Sequence, residues 1–126
     1  MNTIIYEFDP VIYPYKVWVI VTKKTDIITD KFLTYDGDEI REFDKMCNKL
    51  SAYVFPVLTK DKTQYGVLIV FYSKACMTYE IVAHESSHAA KYLFNHINAD
   101  MTEHEPFEYV VGWIARCIGN IKLNKK

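Results

Sequence analysis

The run Gly66 to Tyr72, GVLIVFY, is the strongest strand signal in the chain. β-Branched and aromatic side chains pack well on a pleated surface, and no Pro, Asn or Asp interrupts them. A second apolar extended run, Ala52 to Leu58 (AYVFPVL), precedes it, separated by the polar stretch Lys60 to Gln64. Two such runs joined by a short loop predict an antiparallel hairpin. Pro56 cannot donate a ladder hydrogen bond, so its strand is expected at a sheet edge or at a bulge. After Tyr72 the pattern changes to helix. Thr78 suits an N-cap and Glu80 a first turn, which predicts a helix reaching about Asn95 or His96. A short loop, Asn98 to His104, then leads to a last helix from Pro106, a residue well tolerated in a first turn.

Upstream, Tyr15 to Thr22 (YKVWVIVT) reads as a strand, Phe32 to Tyr35 as a short one, and Thr25 to Lys31 as loop. Asp36-Gly37-Asp38 marks a turn, with Asp38 as the cap of a helix that carries Ile40, Phe43, Cys47 and Leu50 at helical spacing. The N-terminal stretch, with Pro10 and Pro14, is expected to run irregularly over the surface. This order predicts one α+β domain over 1–126, a small, mainly antiparallel sheet followed by two helices.

Composition narrows the function classes. With 126 residues, 50% of them hydrophobic, the chain can fill one core, which argues against disorder. A formal charge of −1 gives no electrostatic reason to expect a nucleic-acid partner. The longest apolar runs, Val17 to Val21 and Gly66 to Tyr72, fall far short of the about 20 residues that a membrane-crossing helix needs. The first residues lack a basic start and a long apolar run, so no signal peptide is expected. Cys47, Cys76 and Cys117 are odd in number and widely spaced, which fits small core residues in a reduced, cytoplasmic setting. The ten tyrosines suit half-buried sheet positions. Nothing in the residues fixes the oligomeric state.

The chemistry-bearing motif is His84-Glu85-Ser86-Ser87-His88, an HExxH sequence. On an α-helix, residues i and i+4 lie one above the other, so both imidazoles can reach one metal ion at about 2.0–2.1 Å. Glu85 is rotated about 100° from His84, off the metal but within reach of a metal-activated water, where it can act as general base. At helical spacing Ile81, His84, Glu85, His88, Tyr92 and Asn95 share one side. Val82, Ala83, Ala90, Leu93, Phe94 and Ile97 share the other, which is expected to face the core. The bland alternative is two ordinary histidines on a half-buried helix.

A catalytic zinc usually takes three protein ligands and keeps one position open. Position 94 is Phe and position 91 is Lys, which excludes the metzincin pattern, and the context of Cys47 excludes a deformylase-type thiolate. The last helix offers Glu105 at its start, with Tyr109, Gly112 and Arg116 on the same face. Glu105 is the first candidate for third ligand, Glu108 the second, and His104 an alternative. Gly112 in a helix costs about 1 kcal/mol relative to Ala, which suggests close approach to the HExxH helix across Ala89 and Ala90.

HESSH on one helix, a short loop and a helix opening EPFEYVVGW together resemble the gluzincin zinc metallopeptidases, in particular the very small HExxH proteins of phages and bacterial mobile elements. The resemblance covers about Gly66 to Ile118. It implies a minimal zincin-like fold and Zn2+ held by His84, His88 and Glu105. It also implies Glu85 as base, a peptide or protein substrate, and an oxyanion donor for which Tyr109 or Tyr92 is available. The competing class is a non-catalytic, metal-stabilised interaction protein.

Overall fold

A computed structural model describes residues 4–24, 26–40, 51–101 and 104–124. Strands β1 (Ile5–Phe8), β2 (Lys16–Val21), β3 (Phe32–Thr34), β4 (Ala52–Thr59) and β5 (Tyr65–Phe71) form one sheet in the order β1-β2-β5-β4-β3. The β1–β2, β3–β4 and β4–β5 pairs are antiparallel, and β2–β5 is parallel. A short helix α1 (Asp26–Lys31) leads into β3, and two long helices follow the sheet, α2 (Tyr79–His96) and α3 (His104–Lys122). The domain is therefore α+β with a mixed sheet.

The apolar runs become strands because the two middle strands are covered on both faces. Val17, Val19, Val67, Ile69 and Phe71 pack under Leu93, Phe94, Ile114 and Ile118 of the long helices. On the opposite face Trp18, Ile20, Leu68 and Val70 pack with Ile28, Phe32 and Val57. The β4–β5 hairpin forms with Pro56 opposite Val67. β3 ends opposite Val57, so at Pro56 the strand has passed the end of its outer neighbour and the missing donor costs no ladder bond to β3.

Two expectations are corrected. Residues 5–8 are not irregular: Glu7 accepts a hydrogen bond from Trp18 Nε1 at 2.9 Å, and the stretch pairs with β2 before Pro10 ends it. Residues 26–31 are not loop: Ile28 is fully buried against the sheet, and that burial supports one and a half turns of helix among polar neighbours. The expected helix through Phe43, Cys47 and Leu50 lies outside the described residues. Cys117 is buried, which pushes its thiol up to about 11, and Cys76 is half-buried. Among the described residues no helix is long and apolar enough to cross a membrane.

Gly66 carries a constraint that the sequence does not advertise. It sits opposite Lys16 in the parallel pair, and a Cβ there would overlap the Lys16 carbonyl oxygen and the Trp18 ring.

Candidate metal centre

Thr78 caps α2, its hydroxyl accepting from Ile81 N–H at 3.2 Å, and the helix runs unbroken through the HExxH segment. Ser86, Ala89, Ala90, Leu93 and Phe94 are buried against the sheet and α3. The buried stripe is thus turned by one position from the expected one. Ser86 and Ala89 lie inside, whereas Ala83 is exposed. The cause is the groove between the N-terminal end of α2 and the C-terminal end of α3. Ala83, Ala115 and Gly119 line it, and the helices do not close over Ala83 there.

His84 and His88 both face outward and are exposed. Their Nε2 atoms stand 3.1 Å apart, with ring centroids separated by 4.6 Å and planes at 77°. Two nitrogens bound tetrahedrally at 2.0–2.1 Å to one zinc ion would be about 3.3 Å apart. The two rings are hydrogen-bonded to each other, and their nitrogens stand within about 0.2 Å of the separation that one cation would impose. Glu85 is 7% exposed, and its Oε1 lies 3.8 Å from His84 Nε2. Burial pushes its carboxyl above the ordinary carboxylate value, while His84 and His88 pull it back. Ser86 Oγ is fully buried and has no hydrogen-bond partner among the described residues.

The antiparallel packing of α2 and α3 decides where Glu105 falls. Phe94 meets Phe107 with ring centroids 5.4 Å apart, and Lys122 Nζ donates to the Met77 carbonyl at 2.8 Å. This register puts Glu105 level with about Asn95, and Gly112 and Arg116 level with His88 and His84. From His88 to Asn95 the helix rises about 10 Å. Glu105 is exposed in the first turn of α3 and is not brought up to the histidine pair, because α2 continues two turns past His88 before the chain reverses. Glu108 is exposed one turn further along. Among the described residues no three His, Cys, Asp or Glu side chains stand together as a metal site.

Tyr109 is 73% exposed and borders a shallow surface groove with Glu108, Gly112, Trp113 and Arg116 on α3. Tyr92, one turn past His88, is half-buried. Gly112 does not mark a close helix approach, since a Cβ built on it meets nothing of the described residues within 4 Å.

A cluster that no sequence motif announces surrounds the C-terminal end of α2. The His96 ring lies 4.7 Å from Tyr15, 5.3 Å from Tyr65 and 5.7 Å from Tyr35, centroid to centroid, and its Nδ1 is hydrogen-bonded to the Tyr35 hydroxyl. Burial holds the His96 pKa below the usual histidine value. These residues come from four elements or loops far apart in the chain, so only the fold brings them together. Comparison with known proteins finds no matching family model, no matching curated protein and no matching solved structure.

Proposed function

We propose that the chain is a zinc-dependent hydrolase, a small HExxH metallopeptidase, acting on peptide or protein substrates. The observation that carries this reading is the His84–His88 pair, whose nitrogens are set 3.1 Å apart beside a buried carboxylate. In this reading His84 and His88 hold the ion. When bound, zinc supplies Lewis-acid polarisation of the scissile carbonyl and eases deprotonation of water.

The remaining steps belong to side chains of the chain. Glu85, fixed on the rigid helix with Oε1 3.8 Å from His84 Nε2, accepts the proton from the attacking water and returns it to the leaving amine. Its burial keeps bulk water from competing for that proton. Tyr92 follows His88 by one turn on the same helix and is the hydroxyl we favour as oxyanion donor, whereas Tyr109 stands on the outer face of α3.

The second reading is a metal-stabilised interaction protein without turnover, in which a further side chain closes the coordination position beside Glu85. One experiment separates the two. Glu85→Gln retains zinc and loses hydrolysis of a peptide library if the chain is an enzyme, whereas His84→Ala loses zinc in either case. A wild-type protein that binds zinc and cleaves no peptide supports the interaction protein.

A further inference from the structure

The aromatic cluster at the C-terminal end of α2 sets a phenol against a base and a second phenol. Tyr35 follows β3 and Tyr65 opens β5, and their ring centroids stand 4.8 Å apart with planes at 48°. That is close to the separation of two directly bonded phenyl rings. β4 runs between the two strands, with Leu58 paired to Leu33 on one side and to Tyr65 on the other, so the rings meet over β4. The Tyr35 hydroxyl is hydrogen-bonded to His96 Nδ1. Burial favours the neutral imidazole, and a phenol O–H is a stronger acid than a neutral imidazole N–H, so the hydroxyl donates and Nδ1 accepts. Burial, and then the neighbouring Tyr65, disfavour the Tyr35 phenolate. A phenol held in that state gives up an electron readily only if its proton leaves too, and the proton acceptor is already in place.

We propose that Tyr35 is a one-electron oxidation site with His96 as its proton acceptor, and that it couples to Tyr65 as an intrachain dityrosine. The oxidant is an outer-sphere one-electron acceptor arriving from solvent. It takes an electron from Tyr35 while the proton crosses to His96 Nδ1, which leaves a neutral phenoxyl radical and an imidazolium that passes the proton to water. A second oxidant takes an electron from Tyr65, whose proton goes to water. The ring carbons beside the two oxygens then form a carbon–carbon bond, each of those carbons loses its hydrogen as a proton, and each oxygen regains one. Two phenols thus give up two electrons and two protons. Tyr15, the third ring against His96, is buried, out of reach of such an oxidant. Exposure alone points elsewhere, since Tyr35 and Tyr65 are 36% and 39% exposed against 98% for Tyr79. Selectivity for this pair is therefore the signature of the hydrogen bond. The product ties β3 to β5 and closes residues 35–65 into a loop, which restricts the unfolded chain. None of these residues belongs to the metal centre, so zinc is not needed.

Light-driven oxidation of the dilute full chain by tris(bipyridine)ruthenium(III), with a cobalt(III) pentaammine complex as terminal acceptor, tests this. Tryptic mapping is expected to find the Tyr35 and Tyr65 peptides joined, two hydrogen atoms lighter than their sum, in a monomer with a raised Tm. Tyr35→Phe and Tyr65→Phe each abolish the link. His96→Phe keeps a ring but no proton acceptor and slows linking about a hundredfold. Unfolding in urea removes the preference for this pair. Oxidation spread over the tyrosines by exposure, Tyr79 foremost, overturns the proposal. So does His96→Phe, folded by circular dichroism, linking at the wild-type rate. Wild-type linking that is equally fast in light and heavy water overturns it too, because the proton must move with the electron.

Discussion

Replacing Gly112 with alanine is expected to stabilise the domain by about 1 kcal/mol. The residue lies inside α3, where glycine is less favourable than alanine by about 0.8–1.0 kcal/mol because its unfolded backbone has more freedom to lose. The added methyl meets no atom of the described residues within 4 Å, and the position is exposed, so no clash offsets the gain. Unfolding entropy near 2.1 cal/mol/K per residue amounts to about 260 cal/mol/K for a 126-residue chain, so 1 kcal/mol corresponds to a rise in Tm of about 4 °C. Thermal melts followed by circular dichroism, with urea unfolding as the isothermal check, measure it. A fall in Tm refutes the reasoning. It would mean that α3 approaches α2 closely at this level, as the bare sequence suggests, and the distance from Glu105 to the histidines would then have to be redrawn.

Gly66→Ala acts in the opposite sense, because the new methyl overlaps the Lys16 carbonyl and the Trp18 ring. A loss of about 2–3 kcal/mol in chemical denaturation is expected, and a neutral result would contradict the β2–β5 register. Ser86→Ala removes a buried hydroxyl that has no partner among the described residues and is expected to raise stability by about 1 kcal/mol with zinc affinity unchanged, which denaturation and metal titration together check. His96 has a pKa in the folded chain below its unfolded value, so the unfolded chain binds more protons on acidification and stability falls as pH drops below about 6.5. The stability difference between pH 7 and pH 5 should shrink in His96→Phe, and an unchanged difference would show that His96 does not carry it.

Much of the fold is legible in the sequence because hydrophobic pattern and local chemistry agree. The β4–β5 hairpin, the cap at Thr78 and the extent of α2 follow from β-branched runs, a polar loop and a capping residue, all local signals. Residues 5–8 and 26–31 are not legible, because their structure comes from partners distant in sequence: β2 for the first, the buried socket of Ile28 for the second. The parallel β2–β5 pairing is equally non-local. At the candidate site, the i, i+4 spacing of His84 and His88 fixes their juxtaposition, since it depends only on the helix. Glu105 depends on the register of two helices. That register is set by Phe94 against Phe107 and Lys122 against Met77, and no helical wheel contains it. The buried stripe of α2 is misjudged by one position because Ala83 meets a groove between the helices rather than the sheet.

The most direct test of the metal centre is the zinc content of the protein purified without added metal, measured beside isothermal zinc titration of the wild type, His84→Ala and His88→Ala. The account predicts zinc in the wild type, about one equivalent per chain, and its loss from both variants with the fold intact by circular dichroism. Zinc retained by His84→Ala and His88→Ala, or a wild type that takes up none on titration, would contradict it.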